Sequence, residues 1–286
     1  MLHKIEKYFR LVKFSHTIFA MPFAFIGFTL GYKQLGTFEL STLLLIILCM
    51  IFARNSAMGF NRLVDRKYDA ENPRTKNREI PQGEISVTQA RIFIWINVIA
   101  FITTTYFLNN LCFYLSPIAI ATVLVYSYMK RFSSLCHYVL STGLALAPIG
   151  AYLAVTAHFN IIPVLFGVLV FFWVGGFDII YSCQDAGFDS KYQLYSIPSL
   201  LGVKNALRVS KLSHLFVIGI LMVIGYIWPY NQFIYAIAAL IFTSLIIYQH
   251  SIVKHNDLSR VNIAFGTTNG FASFIFAVGI ILAILC

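Results

Sequence analysis

Five of the six aspartates in this chain fall in two short stretches. The first reads Asn61-Arg-Leu-Val-Asp65-Arg-Lys-Tyr-Asp69 and the second Asp178-Ile-Ile-Tyr181-Ser-Cys-Gln-Asp185-Ala-Gly-Phe-Asp189. On a helix, Asn61, Asp65 and Asp69 recur every four residues and share one face. Asp178, Tyr181, Asp185 and Asp189 recur at spacings of three and four, again on one face. Carboxylates massed in this way repel one another and call for a counter-charge. A hard divalent cation such as Mg²⁺ supplies it, binding carboxylate and phosphate oxygens together. The candidate metal ligands are therefore Asn61, Asp65, Asp69, Asp178, Asp185 and Asp189, with Asp65, Asp69, Asp185 and Asp189 the candidate catalytic carboxylates. Arg66, Lys67, Arg74, Lys130, Arg131 and Lys191, with Tyr181 beside them, are placed to hold the remaining oxygens of a phosphate by charge-assisted hydrogen bonds. Carboxylates, bases and a divalent cation together fit diphosphate binding better than a carboxylate dyad for hydrolysis. The competing reading is a pair of solvated helix ends held by internal salt bridges. One cluster alone would leave the two readings level, and the repeated spacing favours the ligand site.

The elements that must position these residues are apolar. The 286 residues are 59% hydrophobic and 11% charged, against about 25% charged in a soluble domain. Hydrophobic runs fall at about 14–32, 42–60, 88–108, 111–129, 134–157, 161–182, 212–229, 231–250 and 263–286. Each has about the length that crosses the hydrocarbon core of a bilayer as a helix. The expected fold is an all-α integral membrane bundle of nine transmembrane helices, forming one membrane-embedded domain over 1–286. The aspartate stretches follow the second and sixth helices. The first run has no small-residue cleavage site behind it and is expected to stay as a helix rather than be removed as a signal peptide.

The net charge of +10 raises the question of nucleic acid. The distribution of the charge answers it. With nine spans, all but Lys33 of the 21 Lys and Arg residues lie on one side of the membrane. Basic loops stay in the cytoplasm. The partner implied is the bilayer and not nucleic acid. The N-terminus and both aspartate stretches are expected on the cytoplasmic side of the cell's inner membrane, with the C-terminus on the opposite side. The five cysteines are scattered through apolar runs without a CxxC pair and read as small core residues.

The pair of motifs, in this order after the second and sixth helices, resembles the UbiA superfamily of membrane prenyltransferases. Asn61-x-x-x-Asp65-x-x-x-Asp69 looks like the first motif of that family, and Asp178 to Asp189 like the second. Arg74-Thr-Lys-Asn-Arg78-Glu-Ile-Pro81-Gln-Gly83 resembles the loop that follows the first motif. Glu79 stands where many members carry proline, and Asp-Ile-Ile-Tyr181-Ser-Cys-Gln-Asp185 is similar to a 4-hydroxybenzoate polyprenyltransferase-like branch. The resemblance implies nine helices, Mg²⁺ as cofactor and a polyprenyl diphosphate held through the metal by both clusters. It implies ionisation of the C–O bond and attack of an electron-rich ring on the allylic cation. An aromatic acid acceptor follows, with 4-hydroxybenzoate favoured over the dihydroxynaphthoate of a menaquinone route. The chain holds 27 Phe and 16 Tyr, and aromatic faces stabilise cations, although most such rings in a membrane protein only pack.

For the acceptor carboxylate the expected residues are Arg62, Arg54 and His16. Arg62 adjoins Asn61. Arg54 is a charge inside an apolar helix, which is costly unless it faces a cavity or snorkels to the surface. His16 can contact the acid or serve as a base, with a structural histidine as the alternative. Two other function classes compete. A secondary transporter also carries intramembrane acids, but near the midplane and with routes to both sides. Here the acids gather at one boundary. A CDP-alcohol phosphotransferase would need a D-G-x-x-A-R run, which is absent.

Overall fold

The computed structural model describes residues 7, 8, 10–12 and 20–286. His16 lies outside the described residues, so its expected role has no structural counterpart to report. The long elements are α1 (Met21–Leu35), α2 (Leu40–Val64), the short α3 (Arg66–Glu71), α4 (Val87–Leu108), α5 (Asn110–Met129), α6 (Cys136–Thr156) and α7 (Ile161–Ser182). They continue with the short α8 (Ala186–Lys191), α9 (Ile197–Ile227), α10 (Gln232–Ile252) and α11 (Asn269–Leu285). Eight helices among the described residues are long and apolar enough to cross a membrane. The first expected span, 14–32, is represented by α1, with part of the run outside the described residues. The chain is an all-helical multi-pass bundle.

Local chemistry sets the ends. Asn109 and Asn160 cap α5 and α7 by accepting from Cys112 N and Ile162 N, which answers otherwise unpaired N–H groups at a helix start. Ser86 and Ser196 form capping boxes with Gln89 and Ser199. The Ser196 cap explains the largest departure from the hydropathy reading. The stretch 183–211 reads as polar loop, yet α9 already begins at Ile197. Its first turns carry Lys204, Asn205 and Arg208 outward, while Ala206, Leu207, Ser210, Ser213, His214 and Val217 turn inward at helical spacing. A kink at Gly202, where φ is 74°, separates the first turn of α9 from the long remainder that carries these residues.

The centre of the bundle is α7. Phe166, Leu169, Val170, Trp173, Val174, Phe177, Ile179 and Ile180 are all buried, most of them along one broad face of the helix. It packs on α6 and α9, and α1 lies between α6 and α11. Close approach depends on glycine. A Cβ on Gly27 of α1 would strike the Pro148 backbone of α6, and one on Gly176 of α7 would strike the His214 ring of α9. The outer faces are apolar and exposed at Trp95, Ile96, Ile99, Phe107, Ile118, Leu215 and Phe274, the surface a bilayer requires.

Candidate active site

The C-terminal end of α2 and the C-terminal end of α7 meet at one end of the bundle. The expected continuous rows of ligands are each broken once. α2 stops at Asp65, whose φ and ψ of −86° and 2° precede α3. The i to i+4 backbone bonds Asp65 N to Asn61 O and Asp69 N to Asp65 O survive the break, at 2.9 and 2.8 Å, so the three residues keep their common face. After α7 a 3-10 turn at Cys183–Asp185 tightens the chain before α8. These breaks fold Asp69 and Asp189 back into the protein, where both are buried.

The turn between α5 and α6 joins the clusters. Lys130 Nζ donates to Asp189 at 3.0 and 3.3 Å. Its neighbour Arg131 donates through Nη2 to Asp65 Oδ1 at 3.0 Å and to the Val64 carbonyl at 3.1 Å. Two adjacent basic residues thus reach one carboxylate from each motif. A second bridge comes from the loop after α3. Arg74 forks onto Asp185, with Nε on Oδ1 at 3.0 Å and Nη2 on Oδ2, and its Nη1 donates to the Tyr181 hydroxyl at 2.7 Å. Asn72 adds a bond to Asp185 at 3.3 Å. Arg78 donates to both oxygens of Asp69 at 2.7 and 2.8 Å. Each of the four candidate catalytic carboxylates therefore has its own cation. The salt bridges of the competing sequence reading do exist, but three of the four run between elements far apart in the chain, and all enclose largely buried carboxylates, unlike pairs along a solvated helix end.

The electrostatics are unevenly matched. Burial pushes the Asp65 carboxyl up to about 6 although Arg131 pulls it down. Its second oxygen accepts only the neutral Asn61 amide, at 3.0 Å. One guanidinium does not compensate this carboxylate, which can accept more positive charge. Lys130 behaves oppositely. Burial would lower its ammonium, but Asp189 and Asp185 outweigh burial and hold it above its ordinary value.

The other expected residues are placed unequally. Among the described residues Asp178 meets no Lys or Arg; it accepts from His137 Nδ1 at 2.7 Å, while His137 Nε2 accepts from Ile197 N–H at 3.3 Å. The backbone donor at Nε2 sets the tautomer, and its other nitrogen carries the proton toward Asp178. Arg66 turns back to the Leu63 carbonyl at 2.8 Å. Lys67 is exposed and meets no carboxylate among the described residues. Lys191 lies over the Tyr192 ring at 5.4 Å. Among the described residues, none of these three contacts an aspartate of either motif. Arg62 and Arg54 sit inward on α2. Arg62 is 3% exposed, and the Nε atoms of both arginines are buried without a hydrogen-bond partner. Asn55, two turns from Arg62, donates to Asn97 of α4 at 3.0 Å.

Sequence reasoning missed Arg78, Asn72 and His137. Arg78 lay inside the quoted loop but at no fixed spacing from its partner Asp69. His137 carried one usable signal, a histidine just inside an apolar run and a few residues after Lys130-Arg131.

Residues 20–278 match the UbiA prenyltransferase family. The chain belongs to that family. It is a prenyltransferase, as the paired aspartate motifs suggested. Among similar proteins is a 4-hydroxybenzoate octaprenyltransferase of Tolumonas auensis, 29% identical over 243 residues, 85% of this chain and 84% of that one. Another of the same description, from Alcanivorax borkumensis, is 27% identical over 78% of this chain and 76% of its own length. A UbiA homolog from Aeropyrum pernix K1, solved in its apo form, superposes with a TM-score of 0.84 at 29% identity, covering 93% of this chain and 97% of that one. The Archaeoglobus fulgidus homolog solved with GPP and Mg²⁺ shares the fold with a TM-score of 0.74 at 21% identity, over 98% of this chain and 100% of the other.

Proposed function

We propose that this UbiA-family enzyme transfers a polyprenyl group from a polyprenyl diphosphate to an aromatic acid, with 4-hydroxybenzoate favoured, in an Mg²⁺-dependent reaction of quinone biosynthesis. The observation that carries this reading is the Lys130-Arg131 pair, which brings Asp189 and Asp65 to one place. The similar 4-hydroxybenzoate octaprenyltransferases support the choice of acceptor.

The donor set suits magnesium. Among the described residues no three Asp, Glu, His or Cys side chains stand close enough to hold an ion by themselves. Mg²⁺ does not need such a cage, because it keeps waters and binds through one or two carboxylates plus substrate phosphates. Asp65 with Asn61 and Asp69 on one side, and Asp185 and Asp189 on the other, would hold it. When bound it supplies Lewis-acid stabilisation of the departing diphosphate. Arg74, Arg78, Lys130 and Arg131 share their donors with the phosphate oxygens and orient the diphosphate. The C–O bond breaks with both electrons leaving on the diphosphate. A ring carbon of the acceptor bonds the allylic carbon, and that ring carbon loses its proton. Arg62 and Arg54 have donors to spare for the acceptor carboxylate, since Asp65 and Asp69 are already paired elsewhere. The apolar bundle keeps out water that would quench the cation.

Incubation of the purified protein with a labelled polyprenyl diphosphate and a panel of aromatic acids, with Mg²⁺ or EDTA, tests this. Prenylated 4-hydroxybenzoate formed only with the metal is expected. Product from a dihydroxynaphthoate alone would move the enzyme to the menaquinone route. Uptake of a substrate into sealed vesicles without chemistry would favour a transporter.

A further inference from the structure

A second basic cavity lies outside the space between the aspartate motifs. It measures about 410 Å³ and is lined from α2, α4 and α5 and the segments just beyond them, with no residue of α7 or α8. Arg66, Arg91 and Arg131 line it, together with Trp95 and Tyr128. Leu63, Ile94, Val98 and Leu124 supply an apolar wall. The three arginines stand at the ends of their helices on the aspartate side of the bundle. Trp95 and Val98 lie one and two turns further along α4. The cavity is thus cationic at the membrane boundary, aromatic next and apolar beyond, the order in which a phospholipid presents headgroup, glycerol and acyl chain.

Among the described residues, the charge in this cavity is only partly matched. Arg131 spends Nη2 on Asp65, and its Nη1 is buried with no hydrogen-bond partner. Arg66 bonds only a carbonyl. Arg91 is exposed, pairs with no carboxylate among the described residues, and sits in the first turns of α4. The positive end of the helix dipole disfavours a cation there. Trp95 and Tyr128 are 63% and 44% exposed, so they face the lipid side of the bundle.

We propose that this cavity is a binding site for a phospholipid with an anionic headgroup, its phosphate held by Arg66, Arg91 and Arg131 and its upper acyl chain lying along Trp95 and Val98. The site is separate from the diphosphate site. It meets the latter only through Arg131, whose other end holds Asp65. Lipid binding does not depend on the prenyl-transfer reading; any effect of the lipid on turnover through Asp65 would.

The three tryptophans provide a test. Trp173 and Trp228 are buried, at 0% and 3% exposure, and Trp95 is not. In nanodiscs, brominated phosphatidylglycerol is expected to quench Trp95 fluorescence at a lower mole fraction than brominated phosphatidylcholine. Trp95→Phe should remove that component. Arg91→Gln should reduce the preference for phosphatidylglycerol by about fivefold, the loss expected when one basic residue no longer faces an anionic headgroup. Arg91→Lys should largely keep it. Because Arg91 is exposed and outside the proposed catalytic set, both variants should turn over substrate in phosphatidylcholine as the unaltered protein does. Equal quenching by the two lipids would overturn the proposal. So would loss of the preference on adding millimolar inorganic phosphate, which would make this a site for free anions. Displacement of phosphatidylglycerol from Trp95 by stoichiometric polyprenyl diphosphate would assign the cavity to substrate instead.

Discussion

At the scale of single residues, the site separates groups that hold charge from groups that decorate the surface. Asp65, Asp69, Asp185 and Asp189 are each tied to a different basic residue. Replacing any one by Ala should lower turnover by about 10²-fold or more, the usual loss when a group stabilising a developing anion is removed. EDTA should stop the reaction in the unaltered enzyme. Lys67→Ala and Lys191→Ala should leave the rate within about twofold, because neither side chain reaches a carboxylate; a large loss in either would return it to the diphosphate site. Arg62 calls for a finer measurement. It is buried with Nε unpaired among the described residues, and the two aspartates that follow it in sequence are already matched by Arg131 and Arg78. A guanidinium free of ion pairs is suited to a substrate carboxylate by its rigid fork. Arg62→Lys should raise the KM for the aromatic acid more than the KM for the diphosphate, and Arg62→Ala more strongly still. Equal changes in both would place Arg62 in general charge balance. The aspartates were legible in the sequence because helical periodicity relates them. Their partners were less so: Arg78 and His137 reach Asp69 and Asp178 through tertiary folding, which no local spacing encodes.

At the scale of elements, hydropathy located the membrane spans to within a few residues and failed where polar chemistry extends a helix. The start of α9 at Ile197 was hidden because its outward face carries Lys204 and Arg208. Capping by Ser196 and the Gly202 kink, not apolarity, define that end. The same rule separates glycines that permit packing from those that do not. Gly27 faces the Pro148 backbone, which cannot rotate away, whereas Gly150 on α6 has open space beside it. Gly27→Ala should therefore force α1 off α6 at a cost of about 1–3 kcal/mol, seen as a lower Tm in detergent. Gly150→Ala should leave Tm unchanged. If both substitutions shift Tm alike, close packing at Gly27 is not what joins these helices.

For the whole molecule, the decisive property is which side of the membrane holds the site. The helix directions agree with the charge count. α2, α5, α7 and α10 end at the face carrying the aspartates, and α1, α4, α6, α9 and α11 end at the other. Short loops rich in Lys and Arg resist translocation, and on that ground we propose that the face with the aspartates lies in the cytoplasm. The opposite face has Lys33 as its only Lys or Arg among the described residues. On the proposed function, this arrangement would also distinguish the enzyme from a transporter: charged substrate and diphosphate would come and go on one side, while a polyprenyl chain would stay in the bilayer. Two exposed positions allow a direct check. Asn77 lies in the loop between α3 and α4 on the aspartate face, and His158 in the turn after α6 on the other. Cys286 is exposed at the C-terminus and must first become serine. In that background Asn77→Cys should react with an impermeant maleimide only after the membrane is opened. His158→Cys should react in intact cells. The reverse pattern would place the diphosphate site outside, away from any supply of cytoplasmic polyprenyl diphosphate, and the proposed reaction would lose its substrate. Labelling of both positions from one side would instead break the alternation and, with it, the count of nine spans.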